Sequence, residues 1–126
     1  YDGDAARVIV PGMMGELGIA PRHAPLLTGL QSGEVRLLDG EGNEEYFFVS
    51  GGILEIQPFN VTILADTALR ADDIDEAAAE AAQKEAHDAL TGAGTHTDFA
   101  RAQADLAEAA ARLKVLRSLR KASAKR

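Results

Sequence analysis

Apolar and polar residues alternate through Leu54-Glu55-Ile56-Gln57 and Val61-Thr62-Ile63, the period-two pattern of strands with one buried face. Further short β segments are predicted at Arg7 to Val10, Leu26 to Leu30, Glu34 to Leu38 and Tyr46 to Ser50, separated by Pro, Gly and Ser. Tyr46-Phe47-Phe48-Val49 is apolar at every position, so that strand should be covered on both faces. Short strands divided by turns argue for a sandwich or flattened barrel. Asp39-Gly40-Glu41-Gly42-Asn43 predicts the clearest hairpin turn, because Gly and Asn accept the positive φ that such turns need. The same stretch is a poor calcium loop, since Glu44 stands where the loop glycine belongs and Ser50 where the terminal Glu belongs.

Near Ala71 the period changes. From Asp72 to Arg126 there is no Pro, and the only glycines are Gly92 and Gly94. A first helix is predicted from Asp72 or Asp73 to about Leu90, with Glu76 placed to reach back to Asp73 in a capping box. Asp72, Asp73, Asp75 and Glu76 would also sit at the positive end of the helix dipole. Thr91 to Thr97 forms the connection, and a second helix begins at Thr97 or Asp98. Within it Phe99, Ala102, Leu106, Ala109, Leu113 and Leu116 recur at spacings of three and four, a helix-packing seam. The expectation is an α+β chain: a β-sandwich over residues 1–70, then an antiparallel two-helix hairpin over 71–126.

A hairpin packed through Ala77, Ala78, Ala81, Ala82, Ala102 and Ala109 would be held weakly, because an Ala side chain removes little apolar surface from water at about 25 cal/mol per Å². Alanine is nevertheless the best helix former, so each helix could persist after separating. That combination suits an element with two states, packed on itself or extended.

The 126 residues, 46% of them hydrophobic, are enough for one modest core. There is no Cys, which excludes disulfides, thiolate metal sites and cysteine nucleophiles. No apolar run approaches the roughly 20 residues that cross a bilayer, and no signal peptide opens the chain, so direct membrane insertion is not expected and the cytosol is. The net charge of −7 is unevenly spread. Arg112, Lys114, Arg117, Arg120, Lys121, Lys125 and Arg126 are followed or separated by no acid, so all 20 Asp and Glu precede them. An acidic β-domain would repel phosphates, which argues against nucleic acid as a partner. The basic helix end either complements the helix dipole or probes an acidic protein surface.

Chemistry is largely absent. Gly12, Gly15 and Gly18 fit neither a phosphate loop nor a dinucleotide fingerprint, and His23, His87 and His96 are too scattered for a local metal motif. Ser32, Ser50, His23 and Asp66 lack the flanking sequence of a nucleophile elbow. No enzymatic activity, cofactor or metal is expected.

Four stretches carry a resemblance: Gly15-Glu16-Leu17-Gly18-Ile19, His23-Ala24-Pro25-Leu26-Leu27-Thr28, Ser50-Gly51-Gly52-Ile53-Leu54-Glu55-Ile56-Gln57-Pro58, and Val61-Thr62-Ile63-Leu64-Ala65-Asp66-Thr67-Ala68. In order and spacing they resemble the ε subunit of bacterial F-type ATP synthases. The resemblance implies a non-catalytic rotor subunit at the cytoplasmic face of the bacterial membrane. Its β-sandwich would bind the γ subunit and rest on the c-ring, coupling proton translocation to ATP synthesis, and its helical hairpin would extend toward the α and β catalytic subunits to inhibit ATP hydrolysis.

Carried onto this sequence, the resemblance puts Glu16 and His23 in the segments that face the c-ring, while the spacing already marks Phe99, Leu106, Leu113 and Leu116 as the residues that pack the hairpin. Arg112, Lys114, Arg117, Arg120 and Lys121 fall in the helix that contacts acidic loops of the catalytic subunits. Three departures matter. The family has a further strand before the position of Tyr1. Arg22 stands where many members have Gly. The ATP-sensing motif is degraded, with Ala78 in place of its arginine and Glu108 where a second-helix arginine is expected, so weak or absent ATP binding follows. The alternative from the residues alone is a free-standing β-sandwich binding module or nucleotide sensor whose basic helix recognises an acidic ligand.

Overall fold

A computed structural model describes Tyr1 and residues 3–124, so Lys125 and Arg126 of the basic tail lie outside the described residues. Six strands come first: β1 (Arg7–Gly12), β2 (Gly15–Ile19), β3 (Leu26–Leu38), β4 (Glu44–Gln57), β5 (Asn60–Ala65) and β6 (Ala68–Arg70). A 3-10 turn at Ala71–Asp73 leads into α1 (Glu76–Thr91) and α2 (His96–Ala124). All strand pairs are antiparallel, in the order β2-β1-β3-β4-β5, with β6 paired to β4.

The short segments expected at Leu26 to Leu30 and Glu34 to Leu38 are one strand of 13 residues, and those at Tyr46 to Ser50 and Leu54 to Gln57 are one of 14. Glycine at these places bends the strands instead of ending them. Gly51 and Gly52 have φ of 109° and 138°, and a Cβ built on Gly52 would lie 2.1 Å from the Leu64 carbonyl oxygen. The bend also reverses which residues point inward. Phe47 and Val49 before it, and Leu54 and Ile56 after it, all join one core with Val8, Val10, Ile19, Leu30 and Val35. The hydrogen-bonded sheet is thereby folded over itself into a sandwich.

Tyr46 and Phe48 point the other way, into a second cluster with Ala71, Ile74, Val115 and Leu116. The first half of β4 is therefore covered on both faces, as its uninterrupted apolar run requires. Asp39–Asn43 forms the expected turn: Asp39 Oδ1 accepts from the amides of Glu41 and Asn43 at 2.8 and 2.9 Å, and Gly42 takes φ 90°. These bonds, the Asn43 side-chain amide first among them, hold the Asp39 carboxyl below its ordinary pKa.

The first helix starts later than expected. Asp75, not Asp73, is its cap, accepting from the Ala78 amide at 3.1 Å, while Ala71–Asp73 forms the separate 3-10 turn. The buried alanines of α1 are Ala79 and Ala86, whereas Ala77, Ala78 and Ala81 are exposed. The inward stripe runs Glu76, Ala79, Gln83, Ala86, Leu90, and its two polar members hide it from a search for apolar spacing. Thr95 caps α2, its hydroxyl accepting from the Asp98 amide at 3.0 Å. The 29 residues of α2 span roughly 43 Å at 1.5 Å per residue.

Candidate functional site

Two surfaces hold the residues singled out by sequence. The first is the β2 edge and the loop after it. Glu16 is not on a loop: it belongs to strand β2, opposite Pro11 of β1, with its side chain exposed. β2 has a glycine at either flank of Glu16-Leu17, and this polarity and glycine content disguise a strand whose inward residues are the half-buried Leu17 and the buried Ile19. The Glu16 carboxylate lies 3.7 Å from Nη2 of Arg36, whose Nε is 3.2 Å from Glu34 Oε1. Arg36 and Glu34 were not singled out by sequence. Their network joins residues on β2 and β3 and has no local signature along the chain.

His23 is half-buried, and its Nδ1 lies 2.8 Å from the Ala24 carbonyl oxygen. The turn that presents it is tied down at Arg22, whose amide donates to the Pro58 carbonyl at 2.7 Å and whose φ is 67°. A left-handed backbone at this position explains why glycine suits it. No hydrogen bond or ion pair joins Glu16 to His23 among the described residues.

An exposed apolar face accompanies this edge. Ile53 and Leu64 are paired across β4 and β5, Leu27 projects from the same side of β3, and Met13 lies across Gly29. Leu27 and Leu64 are 68% and 67% exposed, far above what a strand residue of one sheet layer needs to be if nothing else covers it. The sequence did carry this signal, as apolar residues at positions that should be polar in an alternating strand.

The second surface is α2. Ala102 and Ala109 are buried, Leu106 and Leu113 half-buried, and Phe99 is 42% exposed. Leu116 joins Val115 against Tyr46 and Phe48, so the carboxyl half of α2 packs on the sheet as well as on α1. Among the basic residues, Arg112 bonds Glu108 at 2.9 Å and stacks over Phe48, while Arg120 pairs with Glu76 of α1. That pair lowers the Glu76 pKa, chiefly through the hydrogen bond, and raises that of Arg120. Lys114 and Arg117 line an open groove of about 420 Å³ against the β-domain, and Lys121 lines a second of about 390 Å³. Among the described residues no three His, Asp or Glu side chains gather to hold a metal ion, and no helix is long and apolar enough to cross a membrane.

An antiparallel β-sandwich followed by two helices, with exposed charged and apolar faces, defines an α+β protein. Its first 71 residues match the ATP synthase delta/epsilon chain β-sandwich domain, and residues 72–117 match the long α-helix domain of the same chain. The chain belongs to the ATP synthase delta/epsilon chain family, and its high-identity relatives place it with the bacterial epsilon subunits of F-type ATP synthase. It is 55% identical over 121 residues to the ATP synthase epsilon chain of Nitrosococcus oceani, covering 96% of this chain and 86% of that one. Over 120 residues it is 57% identical to the ATP synthase epsilon chain of Acidithiobacillus ferridurans, covering 95% and 84%. The fold recurs in a chain of the Euglena gracilis mitochondrial ATP synthase (OSCP/F1/c-ring), with a TM-score of 0.73 at 18% identity over 97% of this chain and 72% of that one. It recurs again in the Tetrahymena thermophila mitochondrial ATP synthase central stalk/c-ring, with a TM-score of 0.62 at 16% identity over 92% and 84%.

Proposed function

We propose that this chain is a non-catalytic subunit of the rotor, joining the γ subunit to the c-ring during proton-driven ATP synthesis and restraining ATP hydrolysis through its C-terminal helices. The complex would hold it peripherally at the cytoplasmic face of the bacterial membrane. The observation that carries the reading is the division of the chain into a sandwich with an uncovered apolar face and a long basic helix that packs on α1 through small residues and on the sheet through Val115 and Leu116.

In this reading residues 1–70 are the anchored part. The exposed face of Met13, Leu27, Ile53 and Leu64 suits a permanent neighbour, which in the family is γ. Glu16 and His23 would meet the c-ring from the β2 edge and the loop that follows it. Residues 71–126 are the movable part. Arg112, Lys114, Arg117, Arg120 and Lys121 would meet acidic loops of the α and β subunits once α2 extends. Weak or absent ATP sensing is supported by Arg112, whose guanidinium is already engaged by Glu108 and Phe48.

The test is ATP hydrolysis by a matching catalytic complex stripped of its own ε subunit, titrated with the full chain and with a Lys114→Gln, Arg117→Gln, Arg120→Gln, Lys121→Gln variant. Saturable inhibition by the full chain, reduced in the variant although both bind γ, is the expected result. Equal inhibition by both would remove the basic helix from the mechanism, and failure of both to bind would remove the rotor reading.

A further inference from the structure

One end of the sandwich carries two side chains that no internal contact accounts for. Phe59 sits at the tip of the β4–β5 hairpin and is 84% exposed. The turn does not need its ring: Pro58 supplies a fixed φ, and Phe59 itself has no positive φ, so a small polar residue would serve as well. Arg22 is the one non-glycine residue with positive φ among the described residues, at 67°, a conformation that a Cβ disfavours. Its side chain is exposed and makes no hydrogen bond, ion pair or ring contact among the described residues, so nothing internal offsets the strain. Strain of this kind collects at functional positions. The two residues are held together, because the Arg22 amide donates to the Pro58 carbonyl at 2.7 Å, and His23 lies in the same turn. Residues 17–33 and 56–65, which build this end, contain no Asp or Glu in a chain of net charge −7. Glu55, the next acid back along β4, lies opposite Leu27 and accepts from the Gln57 side-chain amide at 3.5 Å. An exposed aromatic beside an exposed arginine, with carboxylates withdrawn, is the composition found at the centre of protein–protein contacts.

We propose that Phe59 and Arg22 are paired anchors that seat this end of the sandwich on the loops of the membrane rotor ring, Phe59 through buried apolar area and Arg22 through hydrogen bonds to loop oxygens. The inference rests on the rotor reading, which gives His23 of the same turn to the ring, and it names what holds that turn in place there. Stability and binding then oppose each other at position 22. Glycine relieves the backbone and removes the guanidinium that the ring would engage. At position 59 only binding is at stake, since the ring of Phe59 supports nothing within the sandwich.

The test titrates the full chain, bound to γ, onto the purified ring in lipid nanodiscs, with γ alone and ring-free nanodiscs of the same lipid as references. Phe59→Ser and Arg22→Gly should each weaken ring binding about 5- to 30-fold, the loss on truncating an interface anchor, and Phe59→Leu should recover part of it. Affinity for γ in solution should not change. The thermal midpoint of the isolated chain should be unchanged for Phe59→Ser and equal or higher for Arg22→Gly, a split that a purely structural role for either side chain would not give. If both variants bind the ring as the unmodified chain does, the anchors are overturned, and the rotor reading stands because the unmodified chain still adds to the hold of γ on the ring. Loss of γ affinity instead would move the pair to γ, and equal binding to ring-free nanodiscs would make this end a lipid contact; either result overturns the assignment to the ring. If the unmodified chain adds nothing to γ alone, the rotor reading itself fails and the anchors with it.

Discussion

The guanidinium of Arg112 on α2 lies over the ring of Phe48 on β4, 5.1 Å from its centroid, so one fully buried aromatic side chain supports both parts of the molecule. Its ring sits on the outer side of the bent strand, in a cluster with Val115 and Leu116 of α2, Leu69 of β6, and Ala71 and Ile74 of the segment before α1.

Truncating that ring should therefore be felt twice. Phe48→Ala is expected to cost about 3–5 kcal/mol, the range for emptying a buried aromatic site. Phe48→Leu should keep most of the contact. Urea unfolding monitored by circular dichroism measures the loss, and energy transfer between dyes placed on the β3–β4 turn and on α2 measures undocking of α2. An alanine variant as stable as the leucine variant would mean that the hairpin does not rest on this ring.

The bend in β4 offers a sharper contrast. Both Gly15 and Gly52 have positive φ, 124° and 138°, but a Cβ on Gly15 meets nothing while one on Gly52 runs into the β5 backbone. Gly15→Ala should cost only the strained backbone, about 1–3 kcal/mol. Gly52→Ala should cost clearly more and prevent β5 from closing the sandwich. Melting temperatures of the two variants decide it, and equal values would contradict the close approach of Leu64 to the bend.

These glycines also explain where sequence reading succeeded. Alternation located the strand segments and the two-sided run Tyr46 to Val49, since each pattern is local. It could not tell that Gln31-Ser32-Gly33 and Ser50-Gly51-Gly52 bend continuous strands, because a glycine that ends a strand and one that curves it look alike until the opposing strand is in place. β2 was missed because Gly15, Glu16 and Gly18 surround its two inward residues, Leu17 and Ile19. Glu16 and His23 were reached through resemblance, whereas Arg36 and Glu34 needed the neighbouring strands. The helix start slipped because Asp73 and Asp75 are equal candidates by residue type, and only the geometry makes Asp75 the cap.

That assignment predicts a difference between two aspartates. Asp75→Ala removes the acceptor for the Ala78 amide and should destabilise the fold by about 1 kcal/mol, the usual loss of an N-cap. Asp73→Ala, on an exposed position with no such bond, should fall within about 0.5 kcal/mol of the unmodified chain. Chemical denaturation of both separates them; the reverse order would move the helix start back to Asp73.

Tyr46 predicts the alkaline behaviour of the docked helix. Burial first, and then its hydrogen bond to the Glu44 carboxylate, push its phenol up to about 12. The folded state thus favours the neutral phenol. The stability this contributes is fully present below the unfolded tyrosine pKa of about 10 and is lost as pH rises from there through the folded value. Phenolate absorbance should show Tyr46 ionising well above free tyrosine, with α2 undocking over the same range. Tyr46→Phe should remove that transition. Ionisation at the ordinary pKa would mean that α2 does not cover the ring.

Arg22 predicts a gain. Its φ of 67° is a left-handed conformation that costs an ordinary residue about 1–2 kcal/mol, while its own side chain is exposed. Glycine removes that cost but enlarges the freedom of the unfolded chain by roughly 0.4–1 kcal/mol. Arg22→Gly should therefore be neutral to stabilising, by up to about 1.5 kcal/mol, with the amide bond to Pro58 and the placement of His23 retained. Arg22→Val, whose branched side chain tolerates positive φ least, should destabilise the turn. Thermal unfolding ranks the three. If glycine instead lowered the midpoint, the arginine side chain would have to make a contact that outweighs its backbone strain.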